Sequence, residues 1–190
     1  MKILIAYGTR FGSTAEVSEE LATLFEKAGH KVLLLNLKET PEEQWPSPKD
    51  FDGILVGSSI KTRQWMKEPK AFLKKNGEYM NKEILLGVFV CSAYAADREK
   101  RPRIREEYIS TVLNELGMQA DIYDAFGGVI DFSESSKMGW LDKTIMKIVS
   151  RKQASGNDPA IKKNARNDLR DWNQIRAFGE KFAELLKNRT

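Results

Sequence analysis

Three hydroxyls and two glycines fall within the seven residues Gly8-Thr9-Arg10-Phe11-Gly12-Ser13-Thr14, and no other stretch of the chain has so clear a chemical pattern. They follow the apolar run of residues 2–7 and lead straight into a helical pattern. Backbone N–H groups at the positive end of a helix dipole therefore face whatever lies beyond the turn. Such a turn suits an anion, most simply a cofactor phosphate. Two other phosphate loops do not fit. No lysine precedes Ser13 or Thr14, as a nucleoside-triphosphate loop G-x-x-x-x-G-K-[ST] requires, and Gly8 and Gly12 lack the G-x-G-x-x-G spacing of a dinucleotide turn. What remains is T-x-x-G-x-T, a loop of hydroxyls and main-chain donors suited to one terminal phosphate monoester. The plainer alternative is an ordinary strand-to-helix turn with Ser13 as its N-cap.

The chain has few other groups for chemistry of its own. One cysteine, Cys91, excludes an internal disulfide and a cysteine-rich metal cluster, and one histidine, His30, removes most zinc and triad arrangements. Catalysis must then come from a cofactor. Cys91 closes an apolar run with no activating base near it in sequence, so it reads as a small buried residue rather than a nucleophile. His30 follows Gly29 directly before a strand and reads as a solvated loop residue.

The elements that must position these residues alternate. Apolar runs at residues 2–7, 31–37, 53–58, 84–91 and 120–130 are separated by helical patterns, which implies a parallel sheet in one α/β domain. The first helix, residues 13–28, places Val17, Leu21, Leu24 and Phe25 at core-facing spacing and stops at Gly29, the expected C′ glycine. Pro41, Pro46 and Pro48 leave the next crossover short or irregular. Further helices are expected at residues 67–75, 103–116 and 171–187. Between the fifth strand and the last helix, residues 131–170 are too long for an ordinary connection. Within them, residues 140–151 carry Leu141, Ile145, Ile148 and Val149 on one side and Lys143, Lys147 and Arg151 on the other. With Trp140 at its start, such a helix suits an anionic membrane surface, or it packs on the body with a solvated basic face.

The formal charge is +4 over 190 residues. Basic residues cluster at 98–105 and 143–163 with no reading motif, which disfavours nucleic acid. The N-terminus lacks the pattern of a signal peptide, and no apolar run approaches the roughly 20 residues that cross a bilayer, so a cytoplasmic location is expected.

Five strands with intervening helices, T-x-x-G-x-T after the first, and polar loops after the third and fourth make the chain resemble the flavodoxin superfamily. Within it the chain is most similar to the flavodoxin-type, menaquinone-dependent protoporphyrinogen oxidases. The matching pieces are residues 8–14, the turn Gly57-Ser58-Ser59-Ile60-Lys61, and the long segment with an aromatic and basic helix before Asp171-Trp172. The resemblance implies a doubly wound five-stranded parallel sheet of order 2-1-3-4-5, with residues 131–170 as an insertion and flavin mononucleotide (FMN) at the carboxyl ends of the strands. It implies that Thr9, Arg10, Phe11, Gly12, Ser13 and Thr14 wrap the phosphate. The middle hydroxyl of the usual T-x-T-G-x-T pattern is replaced by Phe11, so contacts there rest on the backbone. Ser58, Ser59, Ile60 and Lys61 then run past the ribityl chain and one ring edge, and Cys91, Ser92, Ala93 and Tyr94 border the other. Tyr94 and Trp65 are the aromatic candidates for covering the ring. For Trp65, simple packing or partner docking is the competing reading.

Two functions follow from the resemblance. In the first, an enzyme oxidises a porphyrinogen or similar reduced substrate and passes electrons to a quinone, with Trp140, Lys143, Lys147 and Arg151 meeting an anionic membrane or the substrate's carboxylates. That places it peripherally on the inner face of the membrane. In the second, the chain is an electron carrier between redox proteins, against which its positive charge counts because carriers of this fold tend to be acidic. An interaction scaffold without cofactor is the least favoured. Nothing in the sequence sets the oligomeric state.

Overall fold

Alternate residues of the opening strand serve two different cores. In β1 (Lys2–Gly8), Ile3 and Ile5 pack with one buried cluster and Leu4 and Ala6 with another. A strand apolar on both faces belongs in the middle of a covered parallel sheet. The computed structural model describes residues 1–133, 136, 161–162 and 164–189, and it places β1 between β2 (Lys31–Asn36) and β3 (Gly53–Lys61). The sheet continues from β3 through β5 (Leu85–Cys91) to β6 (Ile122–Phe126), every one of these pairings parallel. Counting the parallel strands alone, the order is the expected 2-1-3-4-5.

Helices cover both faces. α1 (Ser13–Lys27) buries Val17, Leu21 and Phe25 against Ile3, Ile5 and Phe89, and shares that side with the C-terminal helix α5 (Trp172–Lys187), which contributes Ile175, Phe178 and Phe182. α1 ends before Gly29, whose φ of +84° is the left-handed exit expected of a C′ glycine. The opposite face is covered by α2 (Lys67–Glu83) and by a helical run in three parts: α3 (Arg101–Arg105), a π-helical turn (Glu106–Ser110) and α4 (Thr111–Glu115). The proline-rich crossover consists of two 3-10 turns, Glu42–Gln44 and Pro48–Asp50, as its composition requires.

Four departures from the sequence reading bear on the site. A short strand β4 (Gln64–Trp65) folds back antiparallel on β3. The expected strand at 120–130 breaks at Gly127-Gly128, and its second half, β7 (Val129–Asp131), leaves the main sheet to pair antiparallel with β8 (Arg166–Asp168). α2 runs to Glu83 rather than to residue 75, because Gly77 serves close packing rather than termination: a Cβ there would meet Met118 Sδ at 2.9 Å. His30 is not solvated as expected. Both ring nitrogens are covered and lack hydrogen-bond partners, the ring meets Phe25 edge-on, and burial lowers its pKa.

Candidate functional site

Strand register brings the three expected loops together. Gly8 lies opposite Ser58 and Ser59 lies opposite Cys91, so the segments leaving β1, β3 and β5 emerge side by side at one end of the sheet. Gly8 is needed there: a Cβ would lie 2.7 Å from Pro69 Cγ, where the start of α2 packs beneath the loop.

In the first loop Gly12, not Ser13, is the N-cap of α1. Its φ of +100° is a conformation glycine adopts freely, and no side chain caps the helix. The first-turn amides are thus left for a partner from outside the helix, the arrangement that accepts an anion. Thr9 Oγ1 accepts from Gly12 N at 3.1 Å and stiffens the turn. Arg10 is exposed, while Phe11 and Ser13 are half-buried. Thr14 is fully covered, with its Oγ1 lacking a hydrogen-bond partner in the protein.

The second loop is fastened by Ser58, whose Oγ accepts from Met66 N at 3.0 Å and donates to the Ser59 carbonyl at 3.1 Å. Ser59 Oγ is covered and, like Thr14 Oγ1, unpartnered. Ile60 and Lys61 pair with Trp65 and Gln64 across a two-residue turn in which Thr62 and Arg63 have φ of 48° and 64°. Hairpins favour this left-handed pair of residues, but a β-branched Thr rarely supplies it. The hairpin carries Trp65 away from solvent: its indole Nε1 donates to the Tyr108 carbonyl in the π-helical turn, and its ring packs on the α2 side of the sheet. In this structure Trp65 is thus packed against the body beside the second loop.

In the third loop, Cys91 and Ser92 are buried and Ser92 N donates to the Phe126 carbonyl at 3.0 Å. Ala93–Ala96 form a 3-10 turn that leaves Tyr94 41% exposed, the aromatic most open to a ligand among the three loops. Burial pushes the Cys91 thiol up to about 12, overcoming the opposite pull of the Arg170 charge. A thiol so rarely ionised is inert. We expect alkylation of Cys91 by iodoacetamide at pH 8 to be undetectable in the folded protein and rapid in urea, which mass spectrometry will read; modification of the native protein would contradict this burial.

One residue that sequence reasoning missed supports the first loop from behind. Arg170, between β8 and α5, has a side chain only 1% exposed. It pairs with Asp168 and with Glu16 in the first turn of α1, each at 2.6 Å, lies over the Trp172 ring, and points Nη1 at the Ser13 carbonyl at 3.4 Å. Arg166 adds two hydrogen bonds to Glu16. No pattern in the sequence marked this strut, because its parts lie 154 positions apart. Trp140, Lys143, Lys147 and Arg151 lie outside the described residues. Among the described residues no cluster of His, Cys, Asp or Glu is arranged to hold a metal, and no helix is long and apolar enough to cross a membrane.

Five parallel strands in this order, with three polar loops meeting at their carboxyl ends, define a flavodoxin-like protein. The Flavodoxin domain family matches residues 4–159, and the chain belongs to it. It is 24% identical over 190 residues to the protoporphyrinogen IX dehydrogenase [quinone] of Escherichia coli K12, covering 100% of this chain and 99% of that protein. Among solved structures it resembles oxidised flavodoxin 1 from Bacillus cereus, with a TM-score of 0.55, 12% identity, and 97% and 98% of the two chains covered. It also resembles a Fusobacterium nucleatum flavodoxin mutant bound to flavin mononucleotide, with a TM-score of 0.50, 11% identity, and 99% and 96% covered.

Proposed function

We propose that this chain is an FMN-dependent oxidoreductase that takes electrons from a reduced tetrapyrrole of the protoporphyrinogen class and passes them to a quinone. The observation that carries the reading is the set of unspent donors where β1 and β3 end: the uncapped start of α1 and the orphaned hydroxyls of Thr14 and Ser59. A buried hydroxyl without a partner costs about 1–3 kcal/mol, and the oxygens of a bound phosphate and ribityl chain are partners of the right kind. The substrate and acceptor rest on the end-to-end similarity to the E. coli dehydrogenase. The net charge of +4 also suits an acidic substrate better than the basic partners of an acidic carrier.

Bound FMN supplies the electron-accepting ring. The chain's own residues bind and orient. Amides of residues 10–14, the hydroxyls of Thr9, Ser13 and Thr14, and the Arg10 guanidinium hold the phosphate at the positive end of α1. Ser58, Ser59, Ile60 and Lys61 line one ring edge and Cys91, Ser92 and Ala93 the other. Tyr94 covers a ring face and excludes water from it, and Trp65 closes the wall behind. The quinone is reached at a membrane surface, with Trp140, Lys143, Lys147 and Arg151 as the contact.

Thr14→Val separates this reading from a plain turn by giving two effects of opposite sign. Removing a hydroxyl that has no partner in the empty protein leaves apo stability unchanged or raised by about 1 kcal/mol, whereas FMN affinity falls about tenfold. Fluorescence titration and thermal unfolding measure the two. Unchanged affinity would mean that the phosphate is held elsewhere. Anaerobic mixing of the flavin-loaded protein with protoporphyrinogen and menaquinone tests the reaction itself; reoxidation by protein partners alone would select the carrier.

A further inference from the structure

Beside the third loop lies a second concavity, of about 470 Å³, between the 3-10 turn and the start of α5, with Ala96, Arg98, Arg101, Arg170, Asp171 and Trp172 in its lining. Its charges do not balance. Arg170 is spent on Glu16 and Asp168, which leaves Arg98 and Arg101 with one carboxylate, Asp171. Asp171 is itself divided. Its Oδ1 caps α5 by accepting from Gln174 N at 3.2 Å, and its Oδ2 accepts from Arg98 at 3.0 Å.

Arg101 is the residue left short. Its side chain is only 12% exposed, and its Nε is fixed by the Ala95 carbonyl at 2.8 Å, which aims the fork. Nη1 stands 3.8 Å from Asp171, beyond hydrogen-bond reach, and among the described residues neither Nη group has a hydrogen bond. Burial makes this cation costlier, and the nearby charges of Arg98 and Arg105 oppose the help given by Asp171 and Asp124. A guanidinium held in place, covered and short of acceptors is the geometry that takes a planar carboxylate through two parallel bonds.

We propose that this pocket is a subsite for a carboxylate arm of the reduced substrate, with Arg101 as its principal ligand and Arg98 as the second cation at its mouth. The inference rests on the oxidoreductase reading for the identity of that substrate. Its placement follows from the third loop: Tyr94 borders the proposed ring site, and Ala95 and Ala96, next along the same turn, hold Arg101 and line the pocket. A reduced macrocycle seated at the flavin site, beside the turn that carries Tyr94, would thus extend a carboxylate arm toward the two arginines, with the Trp172 ring in the wall beyond.

The test titrates FMN-loaded protein with protoporphyrin IX, a flat dicarboxylic acid, and with its dimethyl ester, following porphyrin fluorescence. Charge-assisted bonds of this kind predict a dissociation constant for the diacid about tenfold or more higher in Arg101→Gln and Arg98→Ala, with ester binding and FMN affinity unchanged. If Arg101→Gln also loosens FMN through the Ala95 contact, Arg98→Ala decides, because that side chain is 80% exposed and bears on no loop. Diacid binding equal in wild type and both variants overturns the subsite, as does an ester that binds wild type as tightly as the acid. Arginine-dependent binding without oxidation of the reduced porphyrin would overturn the enzyme reading and leave the subsite standing. Oxidation with arginine-independent binding would do the reverse.

Discussion

Arg170→Leu should lower stability by about 3 kcal/mol and loosen FMN in the same variant. Removing one member of a covered ion pair leaves the others uncompensated, which costs about 3–5 kcal/mol when the group is deeply buried. The lower end applies because Glu16 and Asp168 retain access to water. For a chain of this size that is a drop of about 6–12 °C in melting temperature. The effect on FMN follows from position: Arg170 ties the first turn of α1 to β8, and without it the amides proposed to hold the phosphate lose their rear support. Arg166→Leu is the control. It removes bonds to the same Glu16 from a more exposed side chain, so its cost should stay below about 1 kcal/mol. Equal losses from both variants would show that burial of Arg170 is not what matters.

The same strut sets a pH dependence. Burial raises the pKa of Glu16 and of Asp168, but hydrogen bonds from Arg170, joined by Arg166 at Glu16, outweigh it, and both are held below the usual carboxylate range. A carboxylate whose folded pKa is depressed contributes stability that is complete above its unfolded value of about 4 and is lost as pH falls through the folded value. Wild-type stability should therefore decline more steeply below pH 4 than that of Arg170→Leu, as denaturant titrations at several acid pH values will measure.

Gly127→Ala should be as damaging, while its neighbour Gly128→Ala should be mild. A Cβ on Gly127 would sit 2.0 Å from the Leu169 carbonyl oxygen and 2.7 Å from its carbon, both backbone atoms that cannot swing aside. On Gly128 the closest atom would be Ala93 N, at 3.4 Å, an ordinary contact. Overpacking costs about 1–3 kcal/mol where side chains can adjust, so a clash with backbone should reach about 3 kcal/mol or more. Gly128→Ala should stay within about 1 kcal/mol. Urea unfolding of the two variants makes the comparison, and similar midpoints would mean that β6, β7 and the segment before α5 do not meet as closely as described.

The parts of the molecule legible in the sequence are those with local causes. The five parallel strands show as apolar runs, α1 is bounded by its own glycines, and the turn at residues 8–14 is a contiguous motif; the meeting of the three loops at one end of the sheet is what the flavodoxin resemblance implies, and the strand register bears it out. What escaped has distant or short-range causes. β8 is Arg166-Asn167-Asp168, three polar residues that carry no alternation and become a strand only by pairing with β7 across residues 132–165. β4 is two residues long, and its turn uses Thr62 and Arg63 where a glycine or asparagine would have signalled a hairpin. The fifth apolar run reads as one strand, and its break at Gly127-Gly128 has a cause distant in sequence, Leu169 lying against the backbone. Trp65 and Tyr94 stand out in the sequence as the aromatic candidates beside the loops. Only the fold could show that one is tied to Tyr108 and the other stands open.

Asp131 and Arg166 face each other as partners in the ribbon of β7 and β8, Phe132 N donates to the Ala165 carbonyl at 3.0 Å, and the Asn167 amide bridges the carbonyls of Ile130, Lys162 and Ala165. The long segment thus departs from and rejoins the body at a single clasped gate. A graft at that gate, a short hairpin or the corresponding stretch of a related protein, would find its two ends already paired in one ribbon, so new surface can be joined to this architecture through a single hinge of hydrogen bonds.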